Sequence, residues 1–553
     1  MSVRLRSIRA AYCALLSVIG CSSSSEQSPL VGLAITPRDS TIQTAGVIAF
    51  RAVGTLQNGS SRILTELAWQ SSNPSVATIN AYGTAVGVAS GTAIIRVALG
   101  GLRDSTALKV ENGLNVSGPL RVSTTNPRYF ADPSGRIVYL TGSHYWKNVQ
   151  DDDVNNPPQL FDNNKYLDFL VAHNHNFTRL WTWEQARWSD EVSYSHWFSP
   201  TIYVRTGPGA GADGGPKFDL TKFNPAFFQR LRQRVIDARA RGIYVSVMLF
   251  DGWSVERKPG SAQANPWLAH PFNKDNNVNA INGDPNGDLS GRETQTLSIP
   301  AVTSLQEQYV RAVVDAVNDL DNVIYEISNE SDASATQWQY HMIEFVRGYE
   351  AGKPKQHPIG MTAQWPNGTN AELLSSPGAW VSMNGDVNNP VVANGTKVSL
   401  LDTDHVCGIC GDANWVWKSF TRGHNPILMD GYDNSPGVSD PAYDPSKPVW
   451  EEIRKNLGYA RTYAMRMNLS LAAPRGDLAS SGYCLAAVGT EYLVFLPSGG
   501  GVDVDLSGVN GSRAVEWFDP SEGRTVDGGK LTGGGIVHLS APFRGAAVVY
   551  IRP

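Results

Sequence analysis

The sequence predicts an α/β protein built on a (β/α)8 TIM barrel, with a small antiparallel β-sandwich before it and another after it. Three observations carry this. Between residues 118 and 475, short apolar runs alternate with stretches whose apolar residues recur at helical spacing, the pattern of parallel α/β architecture. Residues 30–112 hold only short alternating runs separated by Gly, Asn and Ser clusters, as in an all-β sandwich. From 476 to 553 the same kind of run recurs between Gly-rich turns. A chain of 553 residues also exceeds what one hydrophobic core normally supports.

Composition narrows the function classes. The chain is 41% hydrophobic and 18% charged with a formal charge of -5, values of an ordinary folded protein. No basic run interleaved with aromatics occurs, which argues against nucleic acid as a partner. Fifteen tryptophans and twenty tyrosines offer flat apolar rings with a polar edge, suited either to sugar faces or to a core.

The first residues form an address. Arg4, Arg6 and Arg9 precede the short apolar stretch 10–20, the layout of a secretory signal that is too short to span a membrane stably. It ends in Val18-Ile19-Gly20-Cys21, which resembles the bacterial lipobox. That resemblance implies a signal peptide over 1–20, lipidation of Cys21 and a flexible tether over 21–29. With Ser22 following the cysteine, it further implies an outer-membrane lipoprotein, on the periplasmic face or the cell surface.

In the first β-domain, strands are expected at 31–35, 48–53, 65–69 and 92–97. The order Trp69-Gln70-Ser71-Ser72-Asn73-Pro74, Val76-Ala77-Thr78, Gly83 and Gly91-Thr92-Ala93 resembles the bacterial Ig-like group 2 module. No paired carboxylates or histidine clusters occur there, so a stalk or weak binder is expected rather than a catalyst.

Eight barrel strands are expected at 137–141, 177–181, 243–250, 323–328, 359–363, 398–401, 427–429 and 469–473, with helical periodicity over 227–241 and 304–320. Chemistry in this fold sits at the C-terminal strand ends. The fourth expected strand runs Asn322-Val323-Ile324-Tyr325-Glu326-Ile327-Ser328 and stops at Asn329-Glu330. With Glu326 upstream, this resembles the large retaining clan of barrel glycosidases that contains the family 5 cellulases. The likeness implies that Asn329 holds a sugar hydroxyl and Glu330 is the acid/base, a carboxyl that must keep its proton to deliver it to a leaving oxygen. It also implies a nucleophilic Glu at the end of strand seven. The strand expected there ends in Met429-Asp430-Gly431-Tyr432, so Asp430 is the expected nucleophile. Glu184, Asp251, Asp404 and Asp433 stand as alternatives. Aspartate in place of glutamate leaves retention or inversion open on the residues alone.

Other expected strand ends supply the rest of a carbohydrate cleft: His144 and Trp146; Arg179, Trp181 and Trp183; Asp251 and Trp253; Trp365; His405; and Tyr432. Arg179 matches the clan's strand-two arginine. The stretch Arg128-Tyr129-Phe130-Ala131-Asp132 with Gly135, Leu140-Thr141-Gly142 and Trp146 resembles the apiosidase-like barrel proteins. At the far end, the stretch from Tyr492 to Pro497, Trp517-Phe518-Asp519-Pro520 and Val548-Val549-Tyr550 resemble the collagen-binding-type β domain that often follows such barrels.

The expected function is therefore an exported, lipid-anchored hydrolase of polysaccharide or oligosaccharide. It is expected to work as a monomer, to need no cofactor or metal, and to touch the membrane only through its anchor. The competing class is a surface carbohydrate-binding or adhesive protein on a degenerate barrel. A collagen-directed peptidase is disfavoured, since neither a zincin motif nor a Gly-x-Ser-x-Gly elbow occurs. Cys407 and Cys410 form Cys-Gly-Ile-Cys, read as a local disulfide; a metal site there would need two further ligands.

Overall fold

A computed structural model describes residues 28–43, 47–64, 67–80, 83–111, 116, 118–188, 195–259, 264–432, 444 and 446–553. The signal peptide, Cys21, most of the tether and Asp433 lie outside the described residues. The chain divides into two compact units, one made of the residues up to Val110 other than Gln43–Val47, the second starting at Glu111.

The first unit is antiparallel β throughout. Leu30–Thr36, Arg51–Leu56 and Ser61–Leu64 form one sheet, and Ser40–Gln43, Leu102–Glu111, Gly91–Leu99 and Ala68–Ser71 form another. Alternate residues of these strands bury Ile35, Ala52, Ile95, Val97 and Leu108 in its core, the period-two burial expected of half-exposed strands.

The second unit holds a closed barrel of eight parallel strands: β1 (Gly142–His144), β2 (Phe177–Leu180), β3 (Tyr244–Asp251), β4 (Val323–Asn329), β5 (Ile359–Thr362), β6 (Trp380–Ser382), β7 (Val398–Asp402) and β8 (Asn425–Met429). Closure comes from β1 pairing with both β2 and β8, Gly142 lying opposite Phe177 and Ile427. The helices longer than one turn among the described residues are α1 (Asn163–Ala172), α2 (Pro225–Ala240), α3 (Pro300–Val317), α4 (Thr336–Glu350), α5 (Asn370–Ser375), α6 (Ala413–Thr421) and α7 (Pro448–Arg466). Their starts are written locally. Asp162, Asn224, Thr369 and Asp412 each accept a first-turn backbone N–H, and Pro225, Pro300 and Pro448 occupy first-turn positions, where a missing N–H costs nothing.

The strand assignment differs from the sequence expectation in three places. The sixth strand is Trp380–Ser382, three residues long, too short to show as a periodic run. Residues 469–473 form no barrel strand. Leu469 and Ala472 pack beneath α7, and Ala473–Pro474 joins the C-terminal sheet opposite Leu485 and Ala486. The strand expected as sixth is thus the seventh, and the one ending at Met429 is the eighth. At the first strand, Ile137–Val138 pairs with Phe130–Ala131 in a small antiparallel sheet, and Gly142–His144 enters the barrel.

After α7 the chain builds a six-stranded sheet, in the order Ala473–Pro474, Cys484–Ala487, Glu491–Leu496, Ala547–Arg552, Ser512–Asp519, Arg524–Thr532, and a two-stranded ribbon of Gly501–Asp505 with Ile536–Ser540. One face of the six-stranded sheet packs Val494, Trp517 and Val549 against Val502 and Val504 of the ribbon. The opposite face sets Leu493, Phe495, Phe518 and Tyr550 against Trp417 of α6 and Leu457 and Tyr463 of α7. Burial of aromatics on both faces makes this sheet part of the barrel's own core. Among the described residues no helix is long and apolar enough to cross a membrane.

Gly360 in β5 has its Cα against the buried indole of Trp380 in β6, with no room for a Cβ. Gly360→Ala should lower stability by roughly 1–3 kcal/mol through overpacking, read as a lower urea midpoint, whereas Gly385, with open space where a Cβ would sit, should accept alanine with little change.

Candidate active site

The C-terminal strand ends converge on one guanidinium. Arg179, in β2, is buried and donates from Nε and Nη2 to the two carboxylate oxygens of Glu326 (2.9 and 2.6 Å). Its Nη1 reaches Asp402 Oδ2 at 3.1 Å and Asp404 Oδ2 at 2.8 Å, and Nη2 also reaches Asn329 Oδ1 at 3.0 Å. Burial opposes the charge on Arg179, but Glu326, Asp402 and Asp404 more than offset it and hold the group protonated. Three carboxylates on one cation leave the cluster short of positive charge.

Histidines and an amide complete the frame. His144, in β1, places Nε2 3.0 Å from Asp402 Oδ1 and stacks on Trp181 with centroids 5.7 Å apart. Despite burial, His144 and Arg179 hold Asp402 below the usual carboxylate range. His405 donates from Nε2 to Asn329 Oδ1 at 3.0 Å and accepts at Nδ1 from the Ser382 hydroxyl at 2.7 Å. That pattern requires a neutral ring. Burial and then Arg179 keep its pKa well below the ordinary value. Asn329 Nδ2 in turn donates to Asp251 Oδ1 at 3.3 Å. Burial pushes Asp251 up to about 7.

Glu330 sits one residue past β4 with φ of +43°, a left-handed conformation costing about 1–3 kcal/mol for a residue with a side chain. Its surroundings hold it there. Lys258 Nζ donates to the Glu330 and Trp365 carbonyl oxygens, both at 2.7 Å, and to Glu256 Oε1 at 2.9 Å. Gly252 lies directly against the Glu330 carbonyl, leaving no space for a Cβ. Trp253 Nε1 donates to Glu330 Oε2 at 2.5 Å, and the Trp253 ring stacks on Trp365 at 5.7 Å and 12°. Burial first, and the nearby Asp404 charge second, raise the Glu330 carboxyl to about 8. Asp404, itself 9% exposed, is also raised, chiefly by burial.

The structure therefore brings His144, Arg179, Asp251, Trp253, Asn329, Glu330, Trp365 and His405 together. Trp181 and Trp183 are nearly buried behind them. Trp183 donates to the Trp146 carbonyl at 3.0 Å, while Trp146, Trp253 and Trp365 remain partly exposed. Asp430 stands apart. It follows β8 rather than β7, is fully buried, and receives Arg454 of α7 side-on, Nε to Oδ2 at 2.8 Å and Nη2 to Oδ1 at 2.6 Å. Tyr432 packs edge-on against Tyr166 and Phe169. The residues closing β7 are Asp402-Thr403-Asp404-His405, and the loop after them is bridged by Cys407 and Cys410. Lys258 had no sequence signal, lying in an irregular loop. Asp402 was visible as a strand end, but numbering that strand as sixth hid what it implied.

Comparisons with known proteins fit this layout. Residues 476–548 match the family model described as "Putative collagen-binding domain of a collagenase". A glycoside hydrolase family 5 structure from Bacteroides vulgatus ATCC 8482 is 12% identical, covers 79% of this chain and 93% of its own, and superposes with a TM-score of 0.51. A second from the same organism, titled "putative glycoside hydrolase", is 12% identical over 93% of this chain and all of its own, with a TM-score of 0.51. A third, titled "Glycoside hydrolase", covers 79% and 97% at 12% identity and a TM-score of 0.50. At such identities the likeness establishes the fold. Ice-binding protein 1 of Shewanella frigidimarina (strain NCIMB 400) is 38% identical over 104 residues, which span 17% of this chain and 12% of that protein.

Because folded Glu330 keeps its proton to a higher pH than the unfolded group does, it lowers stability as pH rises from 4.5 to about 8. Trp253 fluorescence should report this titration with a midpoint near 8 that vanishes in Glu330→Gln; a midpoint near 4.5 in the wild type would contradict the assigned surroundings.

Proposed function

We propose that the protein is a glycoside hydrolase acting on polysaccharide or oligosaccharide, with Glu330 as acid/base and Asp404, rather than Asp430, as nucleophile. The observation that carries this reading is the pairing of a carboxyl held near 8 with a second carboxylate whose charge helps hold it there. Glycoside cleavage needs such a division, one carboxyl protonated and one ionised. Arg179, 2.8 Å from Asp404, favours the ionised form of the nucleophile against the burial that raises it. The Asp430 side chain has both oxygens occupied by Arg454, and only its backbone N–H reaches the cluster, donating to the His144 carbonyl at 2.9 Å.

The reaction is retaining in this account. Glu330 gives its proton to the leaving oxygen while Asp404 attacks the anomeric carbon, forming an ester and losing its charge. The repulsion that raised Glu330 then falls, so the Glu330 carboxylate stays ionised until it takes a proton from water, as that water attacks the anomeric carbon and Asp404 leaves as a carboxylate. Asn329, fixed by Arg179 and His405, and His144 line the sugar position, and the Trp253–Trp365 stack offers it an apolar face. The lipobox-like Val18–Cys21 sequence supports an outer-membrane, lipid-anchored location for the enzyme.

A screen of mature protein against a broad glycan panel should show hydrolysis reduced by about 10²–10⁴-fold in both Glu330→Gln and Asp404→Asn. Asp430→Asn should keep kcat within a few-fold, about 1 kcal/mol, but lose stability because the buried Asp430–Arg454 ion pair is broken. Full activity in Asp404→Asn would remove it from the chemistry. Equal glycan binding by wild type and Glu330→Gln, with no hydrolysis by either, would favour a carbohydrate-binding protein.

A further inference from the structure

At the opposite end of the barrel from these carboxylates, a cavity of about 340 Å³ opens where the chain enters β1 and β2 and where α7 ends. Its lining is unlike that of the catalytic end. Val138, Met467 and Leu469 give it a buried apolar floor, and Met465, 52% exposed, stands at its mouth. Two guanidiniums also line it. Arg136 is neutralised by Asp132, with contacts of 3.1 Å. Arg461 is not matched in this way. Its Nη1 donates to the neutral Asn174, to the backbone oxygen at 3.2 Å and to Oδ1 at 2.5 Å.

A partly buried guanidinium without a carboxylate is unusual, because burying a cation costs several kcal/mol unless an anion compensates it. The burial pushes Arg461 down to about 10, and the only opposing influence is the phenol of buried Tyr244. Nη2 and Nε carry donors that Asn174 does not use. The helix C-terminus beside them adds partial negative charge but no ion. Among the described residues no carboxylate pairs with Arg461, and the cavity joins its apolar floor to polar Asn176, Asn468 and Ser470 in a volume of about 340 Å³, which suits roughly ten to fifteen heavy atoms.

We propose that this cavity binds a small organic carboxylate with an apolar body, its carboxylate on Arg461 and its body against Met467, Leu469 and Val138. The carboxylate supplies the missing charge and the planar acceptor pair that a guanidinium receives best. The apolar body replaces water over the methionines and leucine, which adapt to its shape. The site is independent of the carboxylates at the other end of the barrel, so it stands or falls apart from the glycosidase reading.

The test uses the mature full chain with ¹³C-methyl methionine, titrated with benzoate and, as a neutral match, benzyl alcohol. Benzoate should shift the Met465 and Met467 methyl resonances saturably, and bind at least about tenfold more tightly than the alcohol, the loss expected for one charge-assisted hydrogen bond. Arg461→Gln should remove that preference. Met465→Glu, at a half-exposed position that tolerates charge, should weaken benzoate by a similar factor without affecting the fold, and serves if Arg461→Gln does not fold. No methyl shift at millimolar benzoate, equal binding of the alcohol, or binding unchanged in Met465→Glu would each overturn the proposal.

Discussion

The C-terminal end of the barrel depends on the buried guanidinium of Arg179. It reaches β4 through Glu326 and Asn329 and the end of β7 through Asp402 and Asp404. Each of these groups would be expensive to bury alone, and each is affordable because the same cation serves all of them. The consequence is a fixed frame carrying more negative than positive charge. That imbalance, together with burial, is what keeps a proton on Glu330. Electrostatic need and structural need are therefore met by the same side chain.

The frame also explains the backbone at Glu330. A left-handed residue with a side chain persists only where its surroundings over-determine it. Here Lys258 grips the carbonyl from the β3–β4 loop, Gly252 gives it room, and Trp253 fixes the carboxyl. The Glu330 carboxyl is thus held by the loop after β3, while the Asp404 carboxylate is held by Arg179 of β2. Two independent supports set one pair, which is how a site holds geometry while its loops vary.

Much of this was legible in the sequence. The apolar run from Val323 ending in Asn329-Glu330, and Arg179 at the second strand end, pointed to residues that the structure brings together at one end of the barrel. The barrel itself followed from alternation of strand and helix patterns. The failure was one of counting. Trp380–Ser382 is a three-residue strand flanked by irregular chain, so no periodic signal marks it, and the connection from it to β7 holds no helix. Missing it moved Asp404 from the seventh strand end to the sixth and promoted Asp430. What distinguishes those two aspartates is Arg454, a charge 24 residues along the chain from Asp430 and set on its carboxylate only when α7 folds back over β8. Such a pairing has no local trace. Lys258 was invisible for the same reason, since its partners are carbonyl oxygens that any sequence would supply.

The central claim is that Glu330 and Asp404 form the reacting pair. It is tested most directly by incubating the mature protein with a panel of activated 2-deoxy-2-fluoro glycosides, which stall the glycosyl-enzyme ester, and locating the adduct by peptide mass spectrometry. The account predicts a single glycosyl group on Asp404, formed more slowly in Glu330→Gln with poor leaving groups. An adduct on Asp430, or inversion of the anomeric centre with no adduct at any residue, would contradict it.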